Sequence, residues 1–253
     1  VHYAIVEDQE QVDKLLEIQE ENQAVKHILY DDPRGMRHYD FPFLKSIEKA
    51  QELGREYDKA NPGFFDKQAD AVRGDDIAIM LYTSGTTGNP KGVVLTYDNV
   101  IITARNGIIR EGLTENEEVL AYLPMAWVGD NLFSYAQSFV AGFTVNCPES
   151  GATILTDLRE IGPTYYFAPP RVYENMLTQV MIRMEDASRI KQHVFHYFMA
   201  LAKRVGTRIL DGKEVGVSDK LLYKLGNFLV YGPLRDVLGL NRIRLAYTAG
   251  EAI

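Results

Sequence analysis

The sequence predicts an α/β fold built on mainly parallel sheets flanked by helices. Three observations carry this. Short β-branched or aromatic runs alternate with segments of helical periodicity, the pattern of parallel strands joined by crossover helices. A composition that is 46% hydrophobic and 25% charged over 253 residues suits a sizeable buried core. No linker-like boundary, internal repeat or low-complexity tract interrupts the chain, so 1–253 reads as one partial domain.

Val1 to Val6 reads as a strand. Asp8 and Gln11 have capping-box spacing, and Val12, Leu15 and Leu16 follow at helical intervals, predicting a helix over Gln9 to Asn22. Val25 to Tyr30 is a second strand, closed by the turn DDPRG. Phe43 to Lys59 has helical periodicity and stops before Asn61-Pro62-Gly63. Ile77 to Tyr82 (IAIMLY) reads as a buried strand, followed by a short strand Val93 to Leu95 and a helix Asp98 to Arg110. Glu118 to Leu123 is strand-like, and Asp130 to Ala141 is helical. A compact unit follows: strand Phe143 to Cys147, helix Ala152 to Ile161, strand Thr164 to Ala168. Long helical stretches occupy Arg171 to Leu210 and Ser218 to Leu238, before a last strand, Ile243 to Thr248.

The net charge of −8 argues against a nucleic-acid groove as the main business, although a local pocket can oppose the global sign. The single cysteine, Cys147, excludes an internal disulfide and a thiolate metal cluster. No run approaches the ~18 apolar residues that span a bilayer. The chain begins on an apolar strand rather than a start methionine and stops just after another strand, so it reads as an internal piece of a longer protein.

Most of the chemistry lies in residues 82–92, YTSGTTGNPKG. Glycine lets backbone approach a ligand closely, while N–H groups, hydroxyls and Lys91 offer donors and positive charge to a phosphate chain. The same residue types also build ordinary surface turns. From Gly85 the sequence GTTGNPKG departs from the Walker pattern at Pro90 and Gly92, which disfavours a kinase or motor-type ATPase.

Thr83-Ser84-Gly85-Thr86-Thr87-Gly88-Asn89-Pro90-Lys91-Gly92 closely resembles the phosphate loop of the AMP-forming acyl- and aryl-CoA synthetases, the adenylate-forming enzymes. AYLPMAW (121–127) resembles their YLPL segment near the substrate pocket. VEDQEQVDKLLEI (6–18) and GPTYYFAPPRVYE (162–174) resemble the long-chain fatty acyl-CoA ligase branch. AYTAGEAI (246–253) falls where the family places its adenine-contacting segment.

The resemblance implies part of the large N-terminal domain of such an enzyme, without the start of that domain or the mobile C-terminal domain. It implies ATP-dependent activation of a long-chain fatty acid through an acyl-adenylate to acyl-CoA, with ATP, Mg2+ and coenzyme A taking part. Thr83, Ser84, Gly85, Thr86, Thr87, Gly88 and Lys91 would hold the ATP phosphates, with Thr83 also the hydroxyl near Mg2+. Gly250, Glu251 and Ala252 would lie against the adenine, and Trp127 would wall the acyl pocket. Two positions depart from the family: Glu251-Ala252 replaces its usual Ala-Pro, and Trp127 stands where many long-chain members carry histidine. No catalytic residue is assigned in this stretch, which by the same resemblance does not turn over alone. The implied partner is a fatty or other carboxylic acid in a cytoplasmic protein, with peripheral membrane contact but no nucleic acid. The alternatives are an aryl- or medium-chain ligase and a non-catalytic nucleotide- or acyl-binding module.

Several residues carry blander readings. Trp127 as a core anchor is as good a reading as a pocket wall. His193 and His196 read as an exposed helix face, Glu117-Glu118 and Asp75-Asp76 as solvated loop charges, and Met181, Met184 and Phe195 as core. Arg171 reads equally as an anion contact or a helix-terminus charge.

Overall fold

The computed structural model describes residues 2–21, 24–83 and 88–249. The chain forms two compact units, 1–73 and 74–253.

In the first unit, β1 (Tyr3–Val6), β2 (His27–Tyr30) and β3 (Leu44–Ser46) form a parallel sheet in that order. Helix α1 (Gln9–Glu21) connects the first two strands. Its start is fixed as expected, because Asp8 Oδ1 accepts the Gln11 backbone N–H at 3.1 Å. Val12, Ile28 and Met36 make the small core. The helix expected over Phe43 to Lys59 divides: Leu44–Ser46 pairs with β2, and α2 (Ile47–Ala60) begins behind Ser46, whose hydroxyl accepts from Lys49 N–H at 3.2 Å. A short helix, α3 (Phe64–Asp70), follows Asn61-Pro62-Gly63, where the sequence suggested only an end.

The second unit opens with an antiparallel hairpin, β4 (Ile77–Thr83) and β5 (Lys91–Thr96). The expectation of a buried strand fails here. With one strand partner and one covered side, β4 leaves Ile77, Met80 and Tyr82 exposed. Helix α4 (Tyr97–Glu111) is held by reciprocal bonds between Thr96 and Asn99, and Gly112 closes it in the left-handed conformation.

A parallel sheet of order β7-β6-β8-β9 forms the centre of this unit, from β6 (Glu118–Leu120), β7 (Thr144–Asn146), β8 (Tyr165–Phe167) and β9 (Leu245–Tyr247). Period-2 alternation gives it two buried faces. Val119 and Tyr165 pack on one side with Leu113 and Phe143, while Leu120 and Tyr166 pack on the other with Leu158 and Met176. Between β6 and β7 run α5 (Val128–Asp130), a π-helical segment (Asn131–Ala136) and α6 (Gln137–Ala141). Helix α7 (Ile154–Ile161) joins β7 to β8.

The connection from β8 to β9 is helical. It comprises α8 (Pro170–Glu185), α9 (Arg189–Leu201), α10 (Thr207–Leu210), α11 (Val217–Gly226) and α12 (Gly232–Val237), with π segments at Ala202–Gly206 and Asn227–Tyr231. Phe195, Phe198, Val205 and Val230 form its core. Phe195 is therefore core as expected and Met184 packs against that cluster, whereas Met181 is exposed. No helix among the described residues is long and apolar enough to cross a membrane.

Candidate active site

The strand order places a topological switch between β6 and β8. The chain leaves β6 toward β7 on one side and leaves β8 toward β9 on the other. Open parallel sheets bind ligands in the crevice beyond the carboxyl ends of the strands at such a point. A cavity of about 710 Å3 occurs here, lined by Trp127 after β6, Phe167, Pro170 and Arg171 at the end of β8, and Ala249 after β9. Three segments far apart in sequence, each singled out by the resemblance, thus meet at one end of one sheet.

A chain of phenols lies beneath the crevice. Tyr166 donates to the Tyr122 hydroxyl at 3.3 Å, Tyr122 donates to the Phe167 carbonyl at 3.3 Å, and Tyr173 donates to the Tyr247 carbonyl at 3.2 Å. Burial pushes the phenols of Tyr122 and Tyr166 upward, and that of Tyr173 up to about 12. These groups stay neutral at physiological pH and brace the strand ends rather than exchange protons. Phe133 packs in a tilted pair against Phe167 and stacks on Tyr247, with centroids 4.7 and 5.5 Å away. Gly129 is required by close approach: a Cβ there would lie 2.6 Å from the Phe167 ring.

Trp127 is 51% exposed, which removes its reading as a core anchor and leaves its ring on the crevice wall. Arg171, left open between two roles in the sequence, also lines the crevice. It sits in the first turn of α8 with only a loose 3.8 Å pair to Glu174, so its charge remains available to an anion. The signal that could have found it was the Pro-Pro-Arg run closing a strand.

Asp130 is the buried charge of the region, 2% exposed. Its Oδ1 accepts from Ser134 Oγ at 2.8 Å, and its Oδ2 has no partner among the described residues. Burial raises its pKa against the opposing pull of the Ser134 bond.

A second cavity of about 380 Å3 is lined by Ile79 and Leu95 of the hairpin, Val100 of α4, and Tyr135 and Phe139. Val128 and Leu132 line both cavities and form the partition between them.

Of the residues expected to hold the ATP phosphates, Thr83 and Lys91 stand on the hairpin. Thr83 and Lys91 form its last backbone pair, and Thr83 Oγ1 donates to the Lys91 carbonyl at 3.4 Å. Lys91 and Gly88 are exposed. Ser84, Gly85, Thr86 and Thr87 lie outside the described residues, as do Gly250, Glu251 and Ala252. The strand that leads to the phosphate-loop residues is therefore one arm of an antiparallel hairpin rather than a buried strand.

Glu117 is not a solvated loop charge. It is 5% exposed, accepts Thr164 Oγ1 at 2.6 Å and is ion-paired with Arg244. Glu118 pairs with Arg242 at 3.1 Å. This clamp joins the amino ends of β6, β8 and β9, opposite the crevice. His193 and His196 lie on an exposed face, and no group of three or more metal-ligating side chains occurs among the described residues.

The profile of the AMP-binding enzyme family matches residues 1–253. The chain belongs to the AMP-binding enzyme family. It is 26% identical over 257 residues to a long-chain-fatty-acid–CoA ligase of Xenopus laevis, covering 98% of this chain and 34% of that protein. It is also 26% identical over 243 residues to a human long-chain-fatty-acid–CoA ligase, covering 93% of this chain and 32% of that protein. The chain thus spans about a third of the length of these relatives. Two solved structures share the fold of this AMP-binding enzyme. One is an anthranilate CoA ligase in complex with anthranoyl-AMP (TM-score 0.53, 19% identity, 70% of this chain and 32% of that one). The other is a red-emitting luciferase of Phrixothrix hirtus (TM-score 0.50, 17% identity, 68% of this chain and 32% of that one).

Proposed function

We propose that this AMP-binding enzyme chain is the acid- and ATP-binding part of an AMP-forming ligase that converts a long-chain fatty acid to its acyl-CoA. The observation that carries the reading is the meeting of Trp127, Arg171 and Ala249 at the carboxyl ends of β6, β8 and β9. The names of the relatives support the substrate class.

In this reading a carboxylate oxygen attacks the α-phosphorus of ATP, the bond to pyrophosphate breaks, and an acyl-adenylate remains. The thiol of coenzyme A then adds at the acyl carbonyl, loses its proton, and AMP leaves. Chemistry of this kind depends on positioning and charge stabilisation. Lys91, with Ser84 to Gly88, holds the ATP phosphates, and Gly250 to Ala252 lie along the adenine. The apolar second cavity beyond Val128 and Leu132 takes the distal part of the acyl chain, and Trp127 walls its entrance. The fit to Mg2+ rests on one hard-oxygen donor, the Thr83 hydroxyl at the hairpin end. Mg2+ typically keeps few protein ligands and shares substrate phosphates, whose charge it would neutralise. The same reading assigns the protein to the cytoplasm, with peripheral contact at the membrane.

The test follows carboxylate-dependent exchange of labelled pyrophosphate into ATP by the full-length protein. Palmitate, decanoate, phenylacetate and acetate are compared, with Lys91→Ala as control. Exchange strongest with palmitate and reduced at least tenfold in the variant is expected. Preference for phenylacetate or decanoate replaces the substrate assignment. No exchange with any acid, while ATP still binds, leaves a nucleotide-binding module.

A further inference from the structure

Helix α11 is apolar on two faces, and only one is covered. Its inner side packs Leu222 and Tyr223 against the cluster of Phe198, Val205 and Val230. Its outer side carries Val217, Leu221 and Phe228, the last in the π segment that continues it; they are 84%, 69% and 78% exposed. Leu225 and Leu229 widen the stripe and are also exposed. The outer apolar stripe is thus left without a packing partner among the described residues.

Charge names the occupant. Between residues 189 and 231 there are eight basic and three acidic side chains, in a chain whose net charge is −8. Three of the basic groups are spent locally: Arg204 pairs with Asp219 at 2.9 Å, Lys213 with Asp211 at 2.7 Å, and Arg208 donates to the Glu214 carbonyl at 2.8 Å. Lys220 and Lys224 have no ion-pair partner among the described residues. They stand one turn apart on the outer side, interleaved with Leu221 and Leu225 at i, i+1, i+4 and i+5. Apolar side chains with lysines at their edge match an anionic bilayer surface, where the stripe enters the acyl boundary and the ammonium groups meet headgroup phosphates. A second copy would set the same lysines against each other, and an acidic protein partner would use both features but would not carry the chain up with vesicles, which the test reads.

We propose that the outer face of α11 and its π-helical continuation is a docking surface for anionic lipid membranes. It does not rest on the ligation reading, because it concerns binding in the absence of ATP and acid.

The test is flotation of the full-length protein with vesicles of phosphatidylcholine alone and of phosphatidylcholine mixed with phosphatidylglycerol. The wild type is expected to float with the mixed vesicles and to be released as salt rises from about 0.1 M to about 1 M. Leu221→Glu with Phe228→Glu should lower partitioning at least tenfold, since each buried apolar side chain contributes roughly that factor or more. Lys220→Gln with Lys224→Gln should lower it roughly fivefold per lysine, with little change on phosphatidylcholine alone. Ile109→Glu, an equally exposed apolar site on α4, should bind as wild type. Circular dichroism checks the fold of each variant, and the lysine pair, being fully superficial, keeps the test valid if the acidic pair unfolds. Failure of the wild type to float, or flotation of both double variants equal to that of the wild type, overturns the proposal. So does a wild-type dimer seen by light scattering that the acidic pair dissolves without changing lipid binding.

Discussion

Replacing Glu117 with glutamine tests the clamp that sets the register of the central sheet. The carboxylate is almost fully buried and accepts Thr164 Oγ1 at 2.6 Å while paired with Arg244, which also donates to the Glu111 carbonyl at 3.0 Å. Glutamine keeps the volume and one acceptor but loses the charge. Hydrogen bonds to a charged group are worth about 1.5–3 kcal/mol each, and Arg244, with 43% of its side chain exposed, recovers part of its loss in water. We expect a net destabilisation of about 2–3 kcal/mol, or roughly 5–10 °C in Tm for a domain of this size. Burial alone would raise the pKa of Glu117, but its bonds from Thr164 and Arg244 outweigh that and hold it below the usual carboxylate range. Its contribution is therefore complete above about pH 4.3, the ordinary glutamate value, and is lost as pH falls through the folded-state pKa. Urea unfolding of both proteins from pH 7 downward measures this. The stability gap should close at the acid end. A gap below about 0.5 kcal/mol at pH 7, or one that is constant with pH, would refute the clamp.

Three further outcomes are expected. Trp127→Ala should cost less than about 1 kcal/mol of stability, because the ring is half-exposed, yet shift the chain-length profile in pyrophosphate exchange; an unchanged profile removes Trp127 from the acyl pocket. Gly129→Val drives a side chain into the Phe167 ring and should destabilise by about 1–3 kcal/mol, read from the urea midpoint. Asp130→Asn should be neutral to stabilising at pH 7, since burial raises the carboxyl pKa and charging it costs folding energy as pH rises through that value. The two proteins should converge at acid pH; clear destabilisation at pH 7 would point to an ionised partner of Asp130.

Strand-and-helix alternation was readable because each element here has one dominant period. The long helices and the β7-α7-β8 unit fall within a few residues of their expected places. What was hidden has specific causes. Leu44–Ser46 is too short to display a period of two, so the helical pattern after it absorbed it. The run IAIMLY suits a strand buried on both faces and an edge hairpin equally, because an apolar run does not state how many neighbours it has. Glu117 looked like loop charge because its partner lies 127 residues away. Arg171 looked ambiguous because only the sheet order tells which strand ends face a crevice. The YLPMAW and AYTAG segments were picked out by the family resemblance, but their convergence followed only from the β7-β6-β8-β9 order.

The central claim is that the crevice beyond β6, β8 and β9 receives the reacting acid and nucleotide. It is tested most directly by photolabelling the full-length protein with a non-hydrolysable palmitoyl-adenylate analogue carrying a diazirine on its acyl chain, followed by peptide mapping. The account predicts labelling within 127–139, on the residues that line the two cavities, competed by ATP with palmitate and lowered in Trp127→Ala. Labelling confined to segments that line neither cavity, with the same competition, would contradict it.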